Sequence, residues 1–113
     1  MSMGVVQMFD REVSELLTMV ETLSPKVLVI REKDLLIVSD TFKDVSFDKR
    51  REMVAEGLRQ KFNVIPYTLS EFRELVESRD EEVMRLLSEG KIVLGYHIVF
   101  SLLTFGEEQM EEA

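Results

Sequence analysis

Between residues 31 and 34 the chain carries a run of alternating charge, Arg31-Glu32-Lys33-Asp34, whose side chains are of the types that hold metal ions and phosphates. In phosphoryl-transfer enzymes, carboxylates hold the divalent cations that assist the reaction. Acids and lysines near strand ends also form the active sites of metal-dependent nucleases. Lys33 stands between the two acids, so on a strand its side chain would point away from both of them. A nuclease is therefore the weakest of the catalytic hypotheses.

A loose acidic row, Asp40, Asp44 and Asp48, and the lone His97 are the other groups that suggest chemistry. A calcium loop needs oxygen ligands at alternating positions and a glycine at its sharp turn, and the row matches neither requirement. We interpret these aspartates as solvated loop residues. No serine or other nucleophile lies at a sequence spacing from His97 that indicates a catalytic pair, so we interpret His97 as a core or interface residue rather than a catalytic base.

Two apolar runs, Lys26–Ile30 and Asp34–Ser39, enclose the charged segment and predict buried strands. Only Arg31, Glu32 and Lys33 separate them. A parallel crossover needs about a dozen residues or more, so this connection favours an antiparallel hairpin. The charged run is then interpreted as a solvated hairpin tip.

The remaining periodicities predict helices around this hairpin. Apolar residues spaced by three and four predict an amphipathic helix over residues 6–23, which ends at Ser24-Pro25. Ser46 is predicted to cap a second helix, whose inner face carries Val54, Leu58 and Phe62. A third strand over Phe62–Tyr67 should hold Pro66 near its end or at a sheet edge. A capping box at Thr68 and Glu71 opens the next helix, Asp80 caps another that Gly90 closes, and Lys91–Tyr96 is a fourth strand. Residues 97–105 suit a strand or a helix. These elements predict an α+β fold, with a small mixed or antiparallel sheet of three to four strands packed against helices.

Three segments, DLLIVSDTFKDVSF (34–47), NVIPYTLSEF (63–72) and SEGKIVLG (88–95), carry a resemblance to a known family. Their order resembles the second, third and final strands of minimal nucleotidyltransferases, in the DNA polymerase beta superfamily. The likeness covers roughly residues 26–96. In that family a Gly-Ser turn opens a short helix that holds the triphosphate, a strand begins with two acids separated by one residue, and a third acid lies on a neighbouring strand. Such carboxylates share a face and bridge divalent cations.

Carried over residue by residue, the resemblance places the acid pair on Glu32 and Asp34 and the third acid on Asn63. Asn63 is neutral and a weaker cation ligand. The Gly-Ser turn has no counterpart, because no glycine occurs between Gly4 and Gly57. The resemblance thus implies three vestigial positions, with no catalytic residue, no bound cofactor and no metal site.

These two defects predict a non-catalytic nucleotidyltransferase-like domain that acts through protein association or regulation. The alternative is a nucleotidyltransferase with a reduced active site, in which Glu32 and Asp34 hold Mg²⁺ while Arg31 and Lys33 hold the nucleotide.

The charge and hydropathy of the chain limit the classes of partner that it can bind. A net charge of −8, from 14 basic and 22 acidic residues, argues against nucleic acid, which needs clustered lysine and arginine. No apolar run approaches the roughly 18 residues of a membrane span, and the N-terminus lacks a signal pattern, so we expect no membrane contact and a cytoplasmic location. The abundance of Glu, Lys and Arg favours a thermophilic source.

The length of 113 residues predicts one domain, residues 1–106 with the N-terminal helix, followed by an acidic flexible tail over residues 107–113. The run Ile98–Phe105 is more apolar than a lone domain needs, so it is the predicted contact for a protein partner or for homo-oligomer formation. The resemblance implies the same, since minimal nucleotidyltransferases often act beside a small helical partner of the HEPN class.

Overall fold

The computed structural model describes the backbone of residues 2–112 and the side chains of residues 11–104. Its α-helices are α1 (Ser2–Met19), α2 (Phe47–Met53), α3 (Glu56–Lys61), α4 (Leu69–Glu77), α5 (Glu81–Glu89) and α6 (Tyr96–Glu112), and its strands are β1 (Val27–Arg31), β2 (Asp34–Val38), β3 (Asn63–Tyr67) and β4 (Lys91–Leu94). Short 3₁₀ helices cover Glu21–Leu23 and Asp40–Phe42. The predicted α+β class is confirmed.

The four strands form one mixed sheet in the order β3-β2-β1-β4. Strand β1 pairs antiparallel with β2, as predicted, and the register sets Arg31 opposite Asp34 at the closed end of the hairpin. Strand β1 also pairs antiparallel with β4, whereas β2 and β3 are parallel. The parallel pair needs a crossover, which α2 and α3 supply. Strand β3 lies at a sheet edge, which is one of the two positions predicted for a strand that contains Pro66.

Helices cover both faces of the sheet, because strand side chains alternate between the two sides. One face, called the α1 face, carries Leu28, Leu35 and Ile37 and packs against buried residues of α1, α3 and the 3₁₀ helices. The opposite face, called the α4 face, packs against α4, α5 and α6, and its buried strand residues are Val27, Val29, Leu36, Val38 and Ile65. The sheet is therefore the central layer between the helices, and a side chain at the tip of the β1–β2 hairpin can lie on either face.

Two predicted helix boundaries differ from the structure. The first helix ends at Met19 rather than Leu23, because the chain tightens into a 3₁₀ turn that Ser24 closes in the left-handed conformation. The single helix predicted after Ser46 is two helices, since Val54 and Ala55 adopt extended dihedrals between α2 and α3. The side chain of Arg59 donates to the carbonyl of Val54 at 3.0 Å and so satisfies a group that the break releases.

The structure decides between strand and helix for the segment that the sequence pattern left open. Residues 97–105 belong to α6, which begins at Tyr96 and shortens β4 to end at Leu94. Between the two, Gly95 has a φ of +83°, and a Cβ built there would lie 2.1 Å from the carbonyl oxygen of Lys26. Only glycine fits this corner. The backbone of residues 107–112 continues α6, while their side chains lie outside the described residues, so the flexible tail stays a prediction.

Candidate functional site

The candidate site lies at the tip of the β1–β2 hairpin. Arg31 ends β1 and Asp34 begins β2, so Glu32 and Lys33 alone make the turn. Glu32 has a φ of 54°, a conformation that hairpin turns require and that glycine usually supplies. Two turn residues leave no backbone for a phosphate-binding loop between the strands.

This turn sends the two acids of the implied pair to opposite faces of the sheet. Residues i and i+2 share a face only when they lie on one strand, and the hairpin tip falls between Glu32 and Asp34. Glu32 lines a cleft of about 300 Å³ on the α1 face, together with Glu12 and Glu15 of α1 and Lys61 of α3. Asp34 lines a separate, shallower depression on the α4 face, whose other residues are Arg31, Asp80, Glu81, Glu82 and Arg85.

The structure does bring Asp34 and Asn63 together. The parallel register sets the two residues side by side, and the Asn63 amide Nδ2 donates to Asp34 Oδ1 at 3.2 Å. The Asn63 backbone N–H donates to the Lys33 carbonyl at 2.7 Å. Of the three positions that the resemblance implies, two are thus neighbours that are hydrogen-bonded to each other, and the third lies on the other face of the sheet.

Basic side chains also occupy the surroundings of Asp34. A guanidinium nitrogen of Arg31 lies 3.9 Å from Asp34 Oδ2, and a second lies 2.9 Å from Glu89 Oε1 at the end of α5. The Arg31 side chain is 23 % exposed, so this arginine is half-buried against the tip rather than extended into solvent. Its pairing with Glu89 fastens the hairpin to α5.

The implied ligands do not fit Mg²⁺. That ion requires near-octahedral oxygens at about 2.0–2.1 Å and is commonly held by one or two carboxylates that reach it together. Glu32 and Asp34 face different sides of the sheet, and Asp34 already accepts from Asn63 and faces Arg31. Across the described residues, no three His, Cys, Asp or Glu side chains are arranged to hold a metal ion.

The other predicted candidates are also dispersed. Asp40 pairs with Lys26 at 3.3 Å and accepts from the backbone N–H of Leu69, whereas Asp48 lies in the first turn of α2, so the acidic row is not a cluster. His97 is exposed in the first turn of α6, which differs from the core position that was one of its two predicted roles.

Arg50 is the residue that sequence reasoning missed. It stands in a basic triplet with Lys49 and Arg51 that reads as a solvated helix start, yet Arg50 is only 5 % exposed while its two neighbours are exposed. Its guanidinium makes two hydrogen bonds to the Glu71 carboxylate, at 2.6 and 3.0 Å. The one signal in the sequence was Glu71, whose capping role fixes a carboxylate at the start of α4.

The other hydrogen bonds of Arg50 link α2 to β3 and to the loop before α2. Arg50 donates to the backbone carbonyls of Val45 at 2.7 Å and Pro66 at 3.2 Å, and its guanidinium lies 4.5 Å from the centre of the Phe47 ring. Hydrogen bonds from Arg50 lower the pKa of Glu71. Burial, with the charges of nearby acids, raises the pKa of Tyr67 beside this network.

The predicted association segment divides between core and surface. Ile98, Val99 and Leu102 pack on the α4 face, so most of the run serves the chain's own core. The rest of the apolar surface there is Phe100, which is 59 % exposed, with Tyr96, which is 61 % exposed. The side chain of Phe105 lies outside the described residues.

Tyr96 and Phe100 form an exposed aromatic pair in the first turns of α6, which follows β4 along the chain. Their rings are stacked with centroids 6.2 Å apart and planes inclined by 17°. Leu94, the last residue of β4, is 36 % exposed. We call these three side chains the β4–α6 patch. Large apolar groups that lie together on a surface are typical of protein contacts.

Comparison with known proteins adds no relative to this description. The chain matches no protein-family model, no curated protein and no solved structure. Within the described residues, no helix is both long enough and apolar enough to cross a membrane.

Proposed function

We propose that this chain is a non-catalytic, nucleotidyltransferase-like domain that acts by binding another protein chain. One observation carries the first half of the proposal: Glu32 lies in the two-residue turn and Asp34 begins β2, and the two acids line opposite faces of the sheet. Metal-assisted phosphoryl transfer depends on carboxylates that converge on the same ions. Asn63 in place of the third acid lowers the negative charge further.

The second half of the proposal is supported by the β4–α6 patch. An exposed pair of stacked aromatic rings beside an exposed leucine is a surface of the composition that interface centres favour. No charged group of the hairpin tip is needed for that contact. Function by association therefore requires neither nucleotide nor metal.

Calorimetric titration with ATP and Mg²⁺, followed by a transfer assay with the four common nucleotides, tests the loss of chemistry. We expect no heat of binding and no transferred nucleotide. A matched positive control is Asn63→Asp, which sets two carboxylates side by side on β2 and β3 and should bind Mn²⁺ more tightly than the natural chain in an electron paramagnetic resonance titration. Nucleotide transfer that disappears in Asp34→Asn would overturn the proposal.

The competing candidate is a Mg²⁺-dependent nucleotidyltransferase with a reduced site. It is favoured by the side-by-side placement of Asp34 and Asn63, since a parallel register of β2 and β3 is what brings two ligands from neighbouring strands together. It requires Glu32 to reach the same ion. Activity that falls equally in Glu32→Gln and Asp34→Asn would establish this candidate instead.

A further inference from the structure

The cleft of about 300 Å³ that Glu32 lines on the α1 face takes no part in the proposed function. We call it the α1 cleft. Its walls come from α1, from the β1 end of the hairpin and from the C-terminal end of α3. Small-molecule sites in proteins measure about 300–1,000 Å³, whereas one turn of an α-helix, about 5 Å long and 10–12 Å across, already exceeds this cleft. The occupant that fits is therefore a small molecule rather than a helix of another protein.

The floor of the α1 cleft is apolar. Leu16 and Leu58 belong to the buried core of the α1 face. Ile30 and Phe62 pack against that core but stay half-buried, and the half-buried Val13 lies beside them in the lining. A ligand that covered these side chains would remove apolar surface from water, which favours binding of an apolar group.

Charged side chains surround this floor. Glu12 and Glu15 lie on α1, Glu32 lies in the hairpin turn and Lys61 ends α3, and all four side chains are exposed. Within the described part of the chain, none of the four forms an ion pair with another residue. Three carboxylates against one ammonium leave an excess of two negative charges around the apolar floor.

The excess charge selects a cation, and the arrangement of the carboxylates selects an organic one. A metal ion needs carboxylates that converge on one point, and the acids of the described residues form no such group. An organic cation needs only the negative potential around the cleft, while its apolar part covers the floor.

We propose that the α1 cleft binds a small organic cation with an apolar body, of the arylalkylammonium class. The aromatic body lies on the floor formed by Leu16 and Ile30, and the ammonium group lies towards the carboxylates of Glu15 and Glu32. This inference goes beyond the proposed function and does not depend on it, because it requires neither a nucleotide nor a protein partner.

Calorimetric titration of the full chain with three probes of similar size tests the charge preference. The probes are phenethylammonium, phenethyl alcohol and hydrocinnamate, which carry the same ring with a positive, neutral or negative end. We expect phenethylammonium to bind with a dissociation constant of about 1 mM or lower, as suits a ligand of about nine non-hydrogen atoms. The alcohol should bind at least about fivefold more weakly, and hydrocinnamate should give no measurable binding. Because exposed charges are screened, raising the salt concentration to about 0.5 M should remove most of the difference between the ammonium and the alcohol.

Methyl NMR locates the bound probe. The ring of phenethylammonium should shift the methyl resonances of Val13, Ile30 and Leu58, which line the cleft. The methyl groups of Val76 and Val83, buried on the α4 face, are the internal reference and should not move.

Two substitutions at exposed positions test the carboxylates without disturbing the core. Glu15→Gln and Glu32→Gln should each weaken phenethylammonium binding by about two- to fivefold and leave the binding of phenethyl alcohol unchanged. The matched control is Glu52→Gln on α2, an exposed glutamate that is not among the cleft residues, and it should change neither affinity. Val13→Phe should fill the cleft and abolish binding of both probes, with circular dichroism as the check that this variant folds.

Several outcomes would overturn the inference. They are equal binding of the ammonium and the alcohol, preference for hydrocinnamate, ammonium binding that survives Glu15→Gln and Glu32→Gln together, and no binding of phenethylammonium up to about 10 mM, where a millimolar site is largely occupied. Methyl shifts confined to the α4 face would also overturn it. None of these results bears on the loss of catalysis, whereas nucleotide transfer would overturn the proposed function whether or not the cleft binds an amine.

Discussion

Replacing Glu71 with glutamine should destabilise the fold by about 1.5–3 kcal/mol, since it leaves the buried charge of Arg50 without a counter-ion. The Arg50 side chain is 6 % exposed and the Glu71 side chain 37 % exposed. Breaking a fully buried pair costs about 3–5 kcal/mol, and the exposure of Glu71 reduces that figure. Glutamine keeps an oxygen that can accept from the Thr68 N–H, so the capping box survives, while the charge of Glu71 and one of its two hydrogen bonds with Arg50 are lost.

Thermal unfolding and urea titration at neutral pH measure this loss. For a chain of this size, about 1.5–3 kcal/mol corresponds to a drop of roughly 5–15 °C in Tm. The matched control is Glu81→Gln, which breaks an ion pair with Arg85 at 3.1 Å whose side chains are 87 % and 49 % exposed. That exposed pair should contribute less than about 0.5 kcal/mol.

The pH dependence gives an independent check. Hydrogen bonding to Arg50 lowers the pKa of Glu71 from the reference value of 4.5, so the folded state binds this proton less readily than the unfolded state. The stabilisation is then fully present above about pH 4.5 and is lost as the pH falls through the lower folded pKa. The difference in unfolding free energy between the natural chain and Glu71→Gln should be constant near neutral pH and shrink below pH 4.5.

Two results would refute this reasoning. One is a Glu71→Gln variant that loses no more stability than Glu81→Gln. The other is a pH profile in acid that is parallel in the natural chain and in Glu71→Gln, because protonation of Glu71 would then have no consequence for folding.

Two further predictions concern a glycine corner and a tyrosine. Gly95→Ala should lower the free energy of unfolding in urea by more than about 2 kcal/mol, because φ is +83° and the new methyl group would meet the Lys26 carbonyl. The control is Gly57→Ala in α3, where the new methyl group meets only the flexible end of Met19. That change should be neutral or stabilise the fold by up to about 1 kcal/mol. Equal losses at the two glycines would contradict the close approach. In Tyr96→Phe, the remaining tyrosine absorbance comes from Tyr67 and should titrate with a midpoint above pH 10. Burial and the nearby charges of Glu82 and Asp80 raise the pKa of Tyr67. An ordinary midpoint would show that the Tyr67 ring is solvated in solution.

The sequence alone determined the features that depend on residues close together in the chain. Three residues between two apolar runs favoured an antiparallel hairpin, and the structure has one. The capping box at Thr68 and Glu71 and the cap at Asp80 are present as predicted, because each satisfies amides within a single helical turn.

Tertiary structure decided the features that depend on distant partners. The break at Val54 and the helical state of residues 97–105 lie in segments whose local pattern suits more than one conformation. Arg50 is buried because Glu71, 21 residues away, supplies a counter-ion that no local pattern displays.

The candidate site shows the same division most clearly. From the sequence, Glu32 and Asp34 are two positions apart, and that spacing would place both carboxylates on one face of a strand. In the fold Glu32 belongs to the turn and Asp34 to β2, so the two acids line opposite faces, and a parallel register sets Asn63 beside Asp34 instead. Spacing along the chain fixes the side-chain direction only within one strand, so the location of the turn decided which residues could meet.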